Sequence, residues 1–371
     1  MSDSTVEMRG STAAALDART EPSSAKAPEG DAGRAHARHR NALVLLGLAV
    51  LLVASLALSL ALGRYEVDFG ALVSSLGALA SGDAEAALDA NVFFTIRAPR
   101  VIAALIVGAA LAGAGCAFQG IFKNPMVSPD LLGASAGACF GAALGILLSF
   151  GSVGIEIAAF VTGVIAVSAS YLLSSAIGRR MGGVLVLVLS GLVVGNLFQA
   201  FTSAVKFLAD PNSQLPEITF WLMGGLSAVR ESDLAGLVAA FVVGCVGLMA
   251  LRWRLNVMAL GDEEAASLGV DVRRTRLIVI GLATLLTASS VAVAGMVGWV
   301  GLIVPHMARF LVGPDHRSLV PASMLLGGTF LLLVDDVCRS IYTTEIPLSI
   351  LTAILGAPLF VYLICKQRGR R

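Results

Sequence analysis

Apolar runs of membrane-spanning length recur ten times along this chain. They lie near residues 42–63, 98–121, 131–150, 155–177, 184–207, 233–251, 277–296, 299–313, 318–335 and 346–365. A bilayer's hydrocarbon core is about 30 Å thick, so a helix needs roughly 20 apolar residues to cross it. With 57% hydrophobic and 14% charged residues among 371, the chain cannot bury that surface in one water-facing core. The fold class that follows is an all-α polytopic membrane protein of about ten transmembrane helices, the eighth run being the shortest.

Residues 1–40 mix Ala, Ser, Gly, Pro and charges without periodicity, which reads as a disordered tail ahead of a transmembrane domain at 41–371. The first apolar run starts about 40 residues in and has full span length, a poor fit to a cleaved signal peptide. Orientation follows from Lys and Arg. With the N-terminus inside, the inner ends collect Arg34, Arg38, Arg40, Lys123, Arg179, Arg180, Arg252, Arg254, Arg273, Arg274, Arg276, Arg309, Arg317, Lys366, Arg368, Arg370 and Arg371. The outer side keeps Arg64, Arg97, Arg100, Lys206, Arg230 and Arg339. An even span number with both termini in the cytoplasm is expected.

The same rule puts the charged island RWRLNVMALGDEEAASLGVDVRRTR, residues 252–276, in the cytoplasm. It is acidic and helix-prone in the middle with arginines at both ends, the pattern of a docking surface for a soluble partner.

Two small-residue series mark close helix packing: Gly108, Ala112 and Cys116 in the second span, and Gly137, Gly141 and Gly145 in the third. In the fifth span Asn196, Gln199, Ser203 and Lys206 are spaced three, four and three apart, so they share one helical face. Polar side chains at membrane depth face a bundle interior or a water-filled path. The stripe therefore lines a pathway or hydrogen-bonds between helices, with Lys206 close enough to the outer end to snorkel.

The chemistry of an enzyme is missing. There is no GxxxxGK[ST] phosphate loop, since none of the four lysines follows a glycine. His306 and His316 stand ten apart without ligand spacing, no GxSxG occurs, and five scattered cysteines form no paired motif. A net charge of +1 includes no basic block for nucleic acid. Glu156, Asp210, Glu217, Asp335, Asp336 and Glu345 fall at or near outer span ends rather than at mid-membrane relay positions. The energy source is then expected on a separate protein. A self-sufficient ion-coupled carrier is the alternative from another class, and a membrane-embedded enzyme a third.

Several long strings in order, RAPRVIAALIVGAALAGAGCAFQGIFKNPMVSPDLLGASAGA, ITFWLMGGLSAV, GDEEAASLGVDVRRTR, GWVGLIVPHMARFLVGPDHRSLVP and EIPLSILTAILGAPLF, resemble one family over about residues 94–364. It comprises the permease subunits of ATP-binding cassette importers for ferric siderophores, haem and cobalamin, the FecCD type. The resemblance implies ten helices, two permease copies or one copy and a paralogue, two ATPase subunits carrying ATP and Mg, and a solute-binding protein. It gives ATPase coupling to Leu260, Gly261, Asp262, Glu263, Glu264, Ala265, Ala266, Leu268, Gly269 and Val270. Docking of the solute-binding protein falls to extracellular arginines, Arg97 and Arg100 before the second span and Arg339 after the ninth, through ion pairs with its carboxylates; the other reading of these is interfacial snorkelling. Asn124, Pro125 and Met126 match the family's NPL string at an inner gate. Gly182 and Gly183 stand where relatives carry small hydroxylated gate residues, a departure that leaves the gate chemistry open. Trp221 and Met223 match a short outer helix, where Trp221 touches cargo or binding protein or serves as an interfacial anchor. Ferric siderophore is the expected cargo, with haem, cobalamin and other metal chelates as alternatives.

Overall fold

In a computed structural model, residues 31–62, 93–177, 183–341 and 344–368 are described. Among them lie twelve α-helices: α1 Asp31–Ala61, α2 Ala98–Ile121, α3 Ala134–Leu147, α4 Ser152–Ile177, α5 Gly183–Leu208, α6 Gln214–Met223, α7 Glu231–Leu260, α8 Asp262–Ser267, α9 Val272–Ala294, α10 Val300–Val312, α11 His316–Ser340 and α12 Leu348–Arg368. Each of the ten apolar runs has become one helix; α6 and α8 are short additions. By length and composition seven are long and apolar enough to cross a membrane, while α3, α10 and the apolar part of α12 are shorter.

Met1–Arg40 and Asn41–Arg371 are separate units. The expected structureless tail lies outside the described residues up to position 30. Its last ten residues differ from expectation, being the start of α1, because Ala and Arg dominate DAGRAHARHR and no Pro interrupts it.

The central helix is α2, buried from Pro99 to Ile121 except at Ile102 and Leu105. Its small residues account for that position. Gly108 of α2 and Gly327 of α11 face each other so closely that a methyl group on either would meet the other's carbonyl. Close backbone approach of this kind is what small-residue faces provide when lipid tails give no hydrophobic drive for helices to associate. The Gly137, Gly141 and Gly145 face of α3 packs in the same manner on α4, against Thr162, Ala158 and Ile155.

Two helices are half-length, for one reason. After α2 the chain turns at Lys123 and folds back into the bundle, so that Pro129 and the Leu111 carbonyl both meet Gly301. Pro129 thus stands level with a point ten residues before the end of α2, and α3 has room for only 14 residues. On the other side Gly295–Trp299 is irregular, and α10 follows with 13 residues. Irregular backbone at membrane depth is tolerated where its polar groups are satisfied within protein. Here Gly133 N–H donates to Asp130 O at 2.9 Å, and Ser170 Oγ donates to Leu132 O at 2.9 Å.

By contrast α7 overshoots. Its run was expected to end at residue 251, yet the helix continues to Leu260 over 30 residues, about 45 Å at 1.5 Å per residue. Arg252 to Leu260 is therefore a rigid helical extension beyond the apolar span.

Candidate coupling and pathway surfaces

The two ends of the bundle carry different chemistry. At the hairpin end, Gly261 breaks α7 in an extended conformation, α8 makes one and a half turns, and Gly269 closes it at φ +81°. That left-handed region favours glycine. Asp271 then starts α9, its Oδ1 accepting from Arg274 N–H at 3.0 Å. Ala265 and Val270 are buried in the same apolar cluster as Leu255, Val257 and Met258 of α7, so α8 is seated on the end of α7. Its outward surface holds Leu260 (66% exposed), Leu268 (56% exposed), Glu263, Glu264 and Ala266. Large apolar side chains thus stand in the open there beside two carboxylates.

Asp262 turns the other way. Its Oδ2 accepts from Arg276 Nη2 at 2.8 Å and its Oδ1 from Lys123 Nζ at 3.3 Å. Partial burial works against the charged form, but the Arg276 guanidinium and the Lys123 ammonium hold the carboxyl below the usual carboxylate range.

Lys123 directly precedes the expected gate residues. It sits at φ +52°, and Asn124 N–H donates to Gln119 O at 3.2 Å while Asn124 Oδ1 accepts from Met126 N–H at 2.9 Å. Asn124 and Met126 are exposed and Pro125 is half-buried. The structure thus joins the 124–126 turn to α8 through Lys123, which sequence reasoning had passed over. No spacing pattern links positions 123 and 262.

At the opposite end the arginines depart from expectation. Arg97, Arg100 and Arg339 are buried rather than exposed. Arg100 donates from Nε and Nη2 to Asp335 at 2.9 Å each, and from Nη1 to Glu345 at 2.7 Å. Arg339 pairs with Asp336 and also donates to Ser59 O of α1. Ser59 Oγ donates to Asp336 at 2.8 Å, and Arg97 Nη1 donates to Leu60 O at 3.3 Å. For Arg100 and Arg339 the reason is charge balance: α11 sets Asp335 and Asp336 beside them, and a buried charge is tolerated only when paired and hydrogen-bonded. The three arginines are thus turned into the bundle rather than out from it.

The polar stripe on α5 is legible as expected. Asn196, Gln199 and Ser203 are exposed, on a face shared with Leu185, Leu189 and Leu192. Exposure removes hydrogen bonding to other helices of the same chain as their role. The opposite face is seated in the bundle, where Gly191 lies against the Leu131 carbonyl and Phe198 against Phe140. Gly183 opens α5, and Gly182 lies outside the described residues. In α6, Trp221 is half-buried among α3, α4 and α9 residues and Phe220 is the exposed aromatic (70%).

The molecule is thus a helical bundle with two half-length helices, a short helical hairpin at one end and an outward polar stripe on α5. The chain belongs to the FecCD transport family, which residues 51–366 match. It is 40% identical to the molybdate import system permease protein MolB of Haemophilus influenzae over 88% of this chain and 96% of that one. To the cobalamin import system permease protein BtuC of Halobacterium salinarum it is 41% identical, over 74% of each. A solved metal-chelate type ABC transporter, captured inward-facing, superposes with a TM-score of 0.78 at 39% identity, covering 87% of this chain and 99% of that one. The protein is a multi-pass inner-membrane ABC permease.

Proposed function

We propose that this chain is the passage-forming subunit of a binding-protein-dependent importer and takes its work stroke from a separate ATPase. The carrying observation is the α8 surface, Leu260, Glu263, Glu264, Ala266 and Leu268, left open at the tip of a rigid helix in a chain of this family. In this reading the hairpin end and both termini are cytoplasmic, two ATPase subunits with ATP and Mg dock there, and a solute-binding protein docks at the arginine end. Because that end's arginines are internally paired, they shape the docking face rather than reach out from it. Two copies, or one copy and a paralogue, face each other across the α5 stripe of Asn196, Gln199 and Ser203. The turn at Asn124, Pro125 and Met126, with Gly182 and Gly183, forms the inner gate. Alternating access requires each partner to favour one conformation over the other.

The cargo is a metal chelate, and a ferric siderophore is our specific proposal; haem and cobalamin belong to the same class. A second reading, a small metal oxyanion, is favoured by the 40% identity to a molybdate permease over 96% of its length. The ligand retained by the cognate solute-binding protein on purification separates these cargoes. The coupling role is tested by Glu263→Lys with Glu264→Lys: the purified permease is expected to lose ATPase capture, and intact capture with intact transport would remove that role.

A further inference from the structure

Three separate elements meet at one carboxylate at the hairpin end. Asp262 opens α8, Lys123 opens the 123–126 turn after α2, and Arg276 stands in the first turns of α9. Of the three acidic residues in α8, Glu263 and Glu264 are exposed to the outside, whereas Asp262 is engaged on the bundle side by both cations. The hydrogen bonds to the Asp262 carboxylate come from Lys123 and Arg276, both outside its own helix. Its carboxylate is thus committed to contacts between elements.

Lys123 is placed at some cost. A lysine at φ +52° occupies the left-handed region that Gly and Asn adopt more readily. The turn is fixed by Lys123 N–H to Gly120 O at 3.3 Å and Asn124 N–H to Gln119 O at 3.2 Å. A glycine would satisfy that backbone; what lysine adds is an ammonium that reaches Asp262. The apolar seating of α8 through Ala265 and Val270 runs to the α7 cluster. The polar link from α8 to the Lys123–Met126 turn runs through Asp262.

We propose that Asp262 is a positioning residue that registers α8 to the 123–126 turn, so that a displacement of α8 reaches the turn through Lys123 and α9 through Arg276. This rests on the reading of α8 as the ATPase contact. The pairs are partly exposed, with side-chain exposures of 37% for Lys123 and 48% for Asp262, so they are screened and exchangeable. Such a link sets register and direction and does not hold the turn shut.

The test needs no knowledge of the cargo. Met126 is 51% exposed, and Met126→Cys in a Cys245→Ser, Cys365→Ser background gives a maleimide-reactive probe on the turn. Labelling is followed in the assembled permease–ATPase complex, without nucleotide and with ATP plus vanadate. The parent is expected to change its labelling rate several-fold with nucleotide. Asp262→Asn is expected to retain the ATPase yet lose that change, and Asp262→Glu, which keeps a carboxylate for both Lys123 and Arg276, to keep most of it. A full nucleotide response in Asp262→Asn, an Asp262→Glu variant no better than Asp262→Asn, or a parent without any response would overturn the proposal. Loss of ATPase capture by Asp262→Asn would also overturn it, since Asp262 would then belong to the contact surface. Failure of the α8 docking reading is distinguishable, because it shows as intact capture in the Glu263→Lys, Glu264→Lys variant.

Discussion

The arginine end and the hairpin end use similar ion pairs for opposite purposes. At the first, Arg100, Asp335, Arg339 and Asp336 are buried and multiply bonded, tying α1, α2, α11 and the segment before α12 together. At the second, Lys123, Asp262 and Arg276 are partly exposed, each bond is single, and large apolar side chains stand open nearby. Removing one partner of a buried pair leaves an uncompensated charge and costs about 3–5 kcal/mol, whereas an exposed pair is worth about 0–1 kcal/mol. One end is therefore a clamp and the other a set of weak links that can be remade during a cycle.

The contrast can be broken most directly at Arg100. Arg100→Met leaves Asp335 buried without its cation and is expected to destabilise the permease by about 3–5 kcal/mol, read as an earlier unfolding transition in detergent. A loss below about 1 kcal/mol would make the clamp no stronger than a surface pair. Glu345→Gln sharpens the same point: this carboxylate is 34% exposed against 2% for Asp335, so its neutralisation is expected to cost only about 1 kcal/mol.

At the hairpin end Asp262 contributes no more than about 1 kcal/mol. Its carboxyl is held below the usual range, so that contribution is complete above the unfolded-state value of about 3.9 and is lost as pH falls through the folded value. Thermal stability of parent and Asp262→Asn is expected to differ by a constant amount from pH 7 to pH 5 and to converge only in stronger acid. Convergence near neutrality would contradict the ion-pair geometry. Smallest of all, Asn196→Leu with Gln199→Leu is expected to change stability within about 0.5 kcal/mol, as for exposed sites generally, while lowering transport in vesicles. A large stability loss would mean the stripe is packed rather than open.

Much of the helical inventory was readable from hydropathy because lipid imposes it: a backbone in hydrocarbon must satisfy its own hydrogen bonds. The exceptions are instructive. The third run looked 20 residues long, yet its first residues belong to a short 3₁₀ turn, Pro129–Leu132, closed by Gly133, and α3 keeps only 14 residues. Hydropathy cannot separate a buried loop from a buried helix turn. Likewise α7 outruns its apolar segment because nothing in RWRLNVMAL breaks a helix before Gly261. The α5 stripe was legible because a polar residue every three or four positions is a one-helix property.

Residue identities alone determined that this chain spans a membrane many times, carries a soluble hairpin at 252–276, and presents Asn196, Gln199 and Ser203 on one face. Those are periodicities and local compositions, written in consecutive residues. Only the tertiary structure decided that Arg100 belongs to Asp335, 235 positions away, and Lys123 to Asp262, 139 positions away. An ion pair between distant segments depends on which helices pack and at what depth. That is set by small-residue contacts such as Gly108 on Gly327, not by anything adjacent to the charges.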